Sequence, residues 1–97
     1  MSSVNADIVL PPTGTSSVAV TSTSTAATPL SGNGYFAFKA TGNTAFIIFG
    51  RADVDEASTS NGWPISDGET IHRYISDAIT HFRVVTPTTA TLYWARS

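Results

Sequence analysis

Apolar and polar residues alternate along much of the chain, and Gly, Pro, Asn and Ser break the alternation at short intervals. A period of two places successive side chains on opposite faces of a strand. No window carries apolar residues at i, i+3, i+4 and i+7 over three turns, and Leu, Glu, Lys and Met, the good helix formers, are scarce. The pattern predicts strands at residues 17–23, 35–41, 44–49, 69–75, 80–86 and 89–95, with a short one near Val54. Within them Phe36, Phe38 and Ala40 oppose Tyr35, Ala37 and Lys39. Ile71, Arg73 and Ile75 oppose His72 and Tyr74, and Leu92 and Trp94 oppose Thr91 and Tyr93. Gly42-Asn43 reads as a hairpin turn, since both residues tolerate positive φ. The Trp63-Pro64 region reads as turn-rich loop.

One strand is apolar on both faces. The run Ala45 to Phe49 directs Phe46 and Ile48 one way and Ala45, Ile47 and Phe49 the other. Such a strand has cover on two sides. One cover is the opposite sheet of its own domain. The second is either an additional layer of this chain or another subunit, and the subunit is the expected one, since little chain remains to build a further layer.

These strands fit one domain of all-β class, a small antiparallel β-sandwich of jelly-roll-like or Greek-key type, over residues 17–97. Residues 1–16 read as an extended N-terminal arm, because Pro11-Pro12 suits neither a helix nor a central strand. An arm that adds a strand to a partner's edge binds through backbone hydrogen bonds and needs little charge.

Composition narrows the function. The chain has 97 residues, no cysteine, a net charge of −2 and only 12% charged residues, with more than a quarter Ser and Thr. Its five basic residues, Lys39, Arg51, Arg73, Arg83 and Arg96, are scattered, which argues against nucleic acid. No apolar run approaches the ~20 residues of a membrane-spanning helix. The first twelve residues lack the basic residue and long apolar stretch of a secretion signal, so synthesis in a cytosol is expected. A neutral, hydroxyl-rich surface suits a protein packed against neighbours, although Thr is also simply common in strands.

Candidate chemistry is sparse. His72 and His81 would face each other if their strands formed a hairpin near Asp77, with Asp67, Glu69 or Asp77 completing a metal site. The spacing is not that of a known ligand motif, and no metal or cofactor is expected. There is no Gly-x-Ser-x-Gly elbow, and SGNGY is followed by no Lys-Ser/Thr. Asp53, Asp55 and Glu56 read as an acidic, solvated loop. Trp63, Trp94, Tyr35, Tyr74 and Tyr93 suit either a core, a protein interface or a sugar-stacking platform; Trp63 is the best candidate for an exposed anchor.

The order of segments resembles a known group. A Gly-Asn-Thr turn leads into an apolar strand ending Phe49-Gly50. A Ser/Thr/Asn-Gly loop, Pro64-Ile65, Gly68-Glu69 and a strand ending in Ile75 follow, then THFRVV and ATLYWARS. Over residues 18–97 this resembles small β-sandwich virion proteins of tailed bacteriophages. It departs from them at Pro87-Thr88-Thr89-Ala90, where Gly is common. The resemblance implies a non-enzymatic structural part of the particle, made in the host cytoplasm and located on the capsid surface. A cement or decoration protein bridging copies of the major capsid protein is the expected type. A carbohydrate- or receptor-binding module of a head fibre or tail is the alternative. Expected contact residues are Val4, Ile8, Val9, Leu10, Ile47, Phe49 and Trp63. The chain is expected to self-associate, as a trimer or else a dimer, and to bind neither nucleic acid nor membrane.

Overall fold

A computed structural model of the chain describes residues 15–30, 32 and 34–96. The eight strands are β1 (Ser16–Thr21), β2 (Thr28–Pro29), β3 (Gly34–Thr41), β4 (Ala45–Gly50), β5 (Trp63–Ile65), β6 (Thr70–Ile75), β7 (His81–Val85) and β8 (Thr89–Arg96). They form two four-stranded sheets, β1-β8-β3-β6 in front and β2-β7-β4-β5 behind. Every pairing between these strands is antiparallel: β1 with β8, β2 with β7, β3 with β6 and β4 with β5, closed by β3 on β8 and β4 on β7. The first four pairs are those of one long hairpin folded over on itself, the jelly roll. The expected all-β antiparallel sandwich is therefore the fold. The expected arm and the contact residues Val4, Ile8, Val9 and Leu10 lie outside the described residues.

The topology revises the local reading. Gly42, at φ 99°, does make the sharp turn after β3. The turn is nevertheless no hairpin, because β3 lies in the front sheet and β4 in the back one. Asp67 holds it by accepting a hydrogen bond from the Gly42 amide at 2.9 Å. Residues 63–65 form a strand instead of a loop, and residues 28–29 form another. Val54 lies in a connection, with no strand around it.

The core lies between the sheets. Phe36, Phe38, Ala40, Leu92 and Ile75 from the front meet Ala45, Ile47, Ile65, Phe82 and Val84 from the back. Edge-to-face aromatic pairs join the layers: Phe38 with Phe82 at 5.8 Å, Phe38 with Phe49 at 5.3 Å and Phe82 with Trp94 at 4.9 Å. Each large apolar side chain removed from water in this way contributes roughly 1.5–3 kcal/mol.

The second face of β4 is covered by its own chain. Ala45, Ile47 and Phe49 face the front sheet, and Phe46 and Ile48 face outward, half-buried. The connection of residues 51–62 lies over that outer face. Gly62 sits so close that a Cβ there would be 2.8 Å from the Phe46 Cβ. Arg83, beside Ile48 on β7, donates to the Val54 carbonyl at 3.2 Å and to the Thr25 carbonyl at 2.8 Å. The Ala57 amide donates to Ser24 Oγ at 2.9 Å, so the connection is stitched to the segment before β2. A connection without regular structure thus supplies a layer of the same chain over that face, and leaves Phe46 and Ile48 half-buried.

Candidate functional site: the outer face of the front sheet

The outer face of the front sheet is the broadest regular surface among the described residues. Cross-strand register sets its composition. Tyr35 pairs with Tyr74, Ala37 with both His72 and Ala95, and Lys39 with both Thr70 and Tyr93. Tyr93 pairs in turn with Ser17, and Thr91 with Ala19. Paired residues share a face. One face therefore gathers three tyrosines, a histidine and a lysine around small and hydroxylated residues.

Tyr35 and Tyr74 are 61% and 59% exposed, with ring centroids 5.2 Å apart in an edge-to-face contact. Each ring fixes the other's orientation while leaving aromatic surface open. Beside them Ala37 is only 1% exposed, and Ala95 is likewise buried, so both lie beneath their taller neighbours and present almost no surface of their own. Tyr93, His72 and Lys39 surround them. The arrangement offers exposed aromatic contact and hydroxyl, imidazole and ammonium donors.

A second aromatic group lies at the rim. Trp63 is 57% exposed, as expected for an anchor. Its setting is the edge where β5 and β6 approach across the sandwich. The Arg73 guanidinium lies 5.7 Å from the Trp63 ring and 5.7 Å from the Phe49 ring. Phe49 is half-buried and also packs on Phe38, so it presents only part of its surface. Ile47 is 1% exposed, enclosed between the sheets opposite Trp63 and Val84. It offers no surface to a partner, which corrects its place among the expected contacts.

The two histidines are not brought together. His72 is on the front sheet's outer face, while His81 is on β7 of the back sheet, where Nδ1 and Thr80 Oγ1 are 2.8 Å apart. β6 and β7 form no hairpin, so the geometry a shared metal needs does not arise. Among the described residues no group of three or more His, Asp or Glu side chains could hold a metal ion. A shallow cleft of about 160 Å³, open to solvent, is lined by Leu30, Ser76, Asp77, Ile79 and Thr80. It carries one carboxylate among hydroxyl and apolar groups.

The tyrosine pair was the part of this surface that the sequence concealed. Alternation places Tyr35 and Tyr74 on the faces opposite to Phe36 and Ile75. Only the β3–β6 register, a pairing across distant segments, puts them side by side. Comparison of the chain with protein-family models, with curated proteins and with solved structures finds no match.

Proposed function

We propose that this chain is a non-enzymatic structural protein of a bacteriophage virion, of the cement or decoration type, that attaches to the major capsid protein through the outer face of its front sheet. The observation that carries the reading is the exposed Tyr35–Tyr74 pair on a face with one lysine and no carboxylate among the described residues. Protein interfaces are enriched in Tyr and depleted in Lys, Asp and Glu at their centres, and aromatic anchors carry much of the binding energy. The sequence resemblance to small phage virion proteins supports the same reading, as does the low overall charge.

Size argues for repetition. Four strands about 4.8 Å apart and about six residues long present a face of about 400 Å². A stable isolated interface buries about 800 Å² on each partner. One such face therefore holds weakly. Copies clustered at a symmetric position on a shell, as a trimer or dimer, would gain through effective concentration what each contact lacks.

Co-sedimentation with shells of the parent phage stripped of this protein tests the proposal. The unaltered chain is expected to pellet with shells and saturate at a fixed ratio. A folded chain that stays in the supernatant at all concentrations overturns it. A second reading, glycan binding by a head fibre or tail module, draws on the same tyrosines, since a pyranose ring stacks on an exposed aromatic face. Retention on a glycan array, lost in Tyr35→Ala and Tyr74→Ala, favours that reading over attachment to the shell.

A further inference from the structure

Each sheet has two edge strands, and a strand edge with free N–H and C=O groups invites pairing unless it is short, interrupted by Pro or guarded by charge. Three of the four edges here are guarded. β2 has two residues, one of them Pro29, and β5 has three, with Pro64 at its centre. β6 carries Arg73, turned over the rims of Phe49 and Trp63. β1, Ser-Ser-Val-Ala-Val-Thr, has six residues, no Pro and no charge. Among the described residues it pairs with β8 alone.

We propose that the β1 edge is a docking edge whose occupant is residues 5–10 of the same chain, Asn-Ala-Asp-Ile-Val-Leu. Three features of the sequence meet at this edge. The segment has the length of β1 and precedes it by five residues, Pro-Pro-Thr-Gly-Thr. Hairpin loops of two to five residues are the common ones. Pro12 and Gly14 stand at the positions favoured at i+1 and i+3 of a type I turn. Antiparallel pairing across this loop sets Leu10 against Ser16, Ile8 against Val18 and Ala6 against Val20.

That register is the one the alternation demands. Ser16, Val18 and Val20 share the inner face with Trp94, Leu92 and Ala90. Ala6, Ile8 and Leu10 then extend the apolar core beside Val18 and Trp94, which are only partly buried at its margin. Asn5 and Asp7 fall on the outer face, and Asp7 supplies the charge that β1 lacks. Shifting the pairing by one residue turns Asp7 into the core and Ile8 and Leu10 out of it. The tether favours the segment's own chain over a second copy, because a short loop holds the strand at a high effective concentration.

The chain's lack of cysteine makes the test direct. In the double variant Val9→Cys/Ser17→Cys the two thiols fall opposite each other on the outer face. Mild oxidation is expected to consume both thiols while the protein stays monomeric on a non-reducing gel. In Ile8→Cys/Ser17→Cys the thiols lie on opposite faces and are expected to remain free. Free thiols in the first variant overturn the docking, and a covalent dimer overturns the same-chain assignment in favour of a second copy. The unaltered chain provides an independent reading. An NMR contact between Ile8 and Val18 is expected to persist as intramolecular in a mixture of labelled and unlabelled protein. Its absence, or its appearance only between molecules, overturns the proposal regardless of how the variants fold.

Discussion

Thr86 is the only polar side chain fully buried among the described residues, and its hydroxyl donates to the Thr44 carbonyl at 2.7 Å. The bond ties the end of β7 to the residue before β4. Thr86→Val keeps the shape and removes the donor, so the carbonyl of half-buried Thr44 loses its partner. A loss of about 1–3 kcal/mol is expected in urea denaturation. Thr86→Ser retains the donor and should lose less. A Val variant as stable as the parent would show that the bond contributes nothing. Gly62 is constrained differently. A methyl group there meets the Phe46 Cβ at 2.8 Å and its carbonyl carbon at 2.9 Å, neither of which is a mobile side-chain tip. Gly62→Ala should cost about 1–3 kcal/mol by the same measurement, through overpacking of the connection against β4. The sequence announces neither requirement, since one Thr among many looks like surface and Asn61-Gly62 looks like a plain turn.

Among the elements, the long strands were legible and the short ones were not. β3, β6 and β8 each carry six or more alternating residues, and their inner and outer faces follow directly from the sequence. β5 is three residues with Pro64 in the middle, too short for periodicity and chemically disguised as a turn. β2 is shorter still, and it forms where the segment leaving β1 runs along β7. There Thr25 donates its amide to the Val84 carbonyl, and Leu30 donates to that of Thr80. Only the fold creates that edge. The double apolar face of β4 was read correctly as a strand covered on both sides, but its cover is a polar-looking connection. That connection packs through backbone, through Ala57 and through Arg83, not through an apolar stripe. Arg73 is the comparable device on the open edge. Arg73→Ala removes contacts with two rings and should destabilise the chain by about 1–2 kcal/mol. A change in tryptophan emission should accompany it as Trp63 loses its neighbour, while Trp94, packed on Phe82, is unaffected. An unchanged emission spectrum would show that the cation does not sit over Trp63 in solution.

For the whole molecule, the topology has a kinetic consequence. β1 pairs with β8, so the first and last strands of the sandwich must meet before the front sheet is complete. Among the described strands only β4 and β5 are both consecutive in sequence and paired. Folds governed by such distant pairings refold in milliseconds to seconds. Stopped-flow refolding followed by tryptophan fluorescence should fall in that range; a microsecond phase carrying the full amplitude would contradict the strand order. The same topology brings Tyr35 and Tyr74 together, and with them the surface on which the proposed function rests. The measurement that bears on it most directly is co-sedimentation of the Tyr35→Ser/Tyr74→Ser double variant with stripped phage shells, beside the unaltered chain. Losing the edge-to-face contact should cost about 0.5–1.5 kcal/mol, so the variant should melt somewhat below the parent and is compared with it at a temperature where both are folded. The account predicts that its affinity for shells falls at least tenfold, as befits loss of two aromatic anchors worth about 1 kcal/mol or more each. A folded variant that binds shells equally well would contradict it.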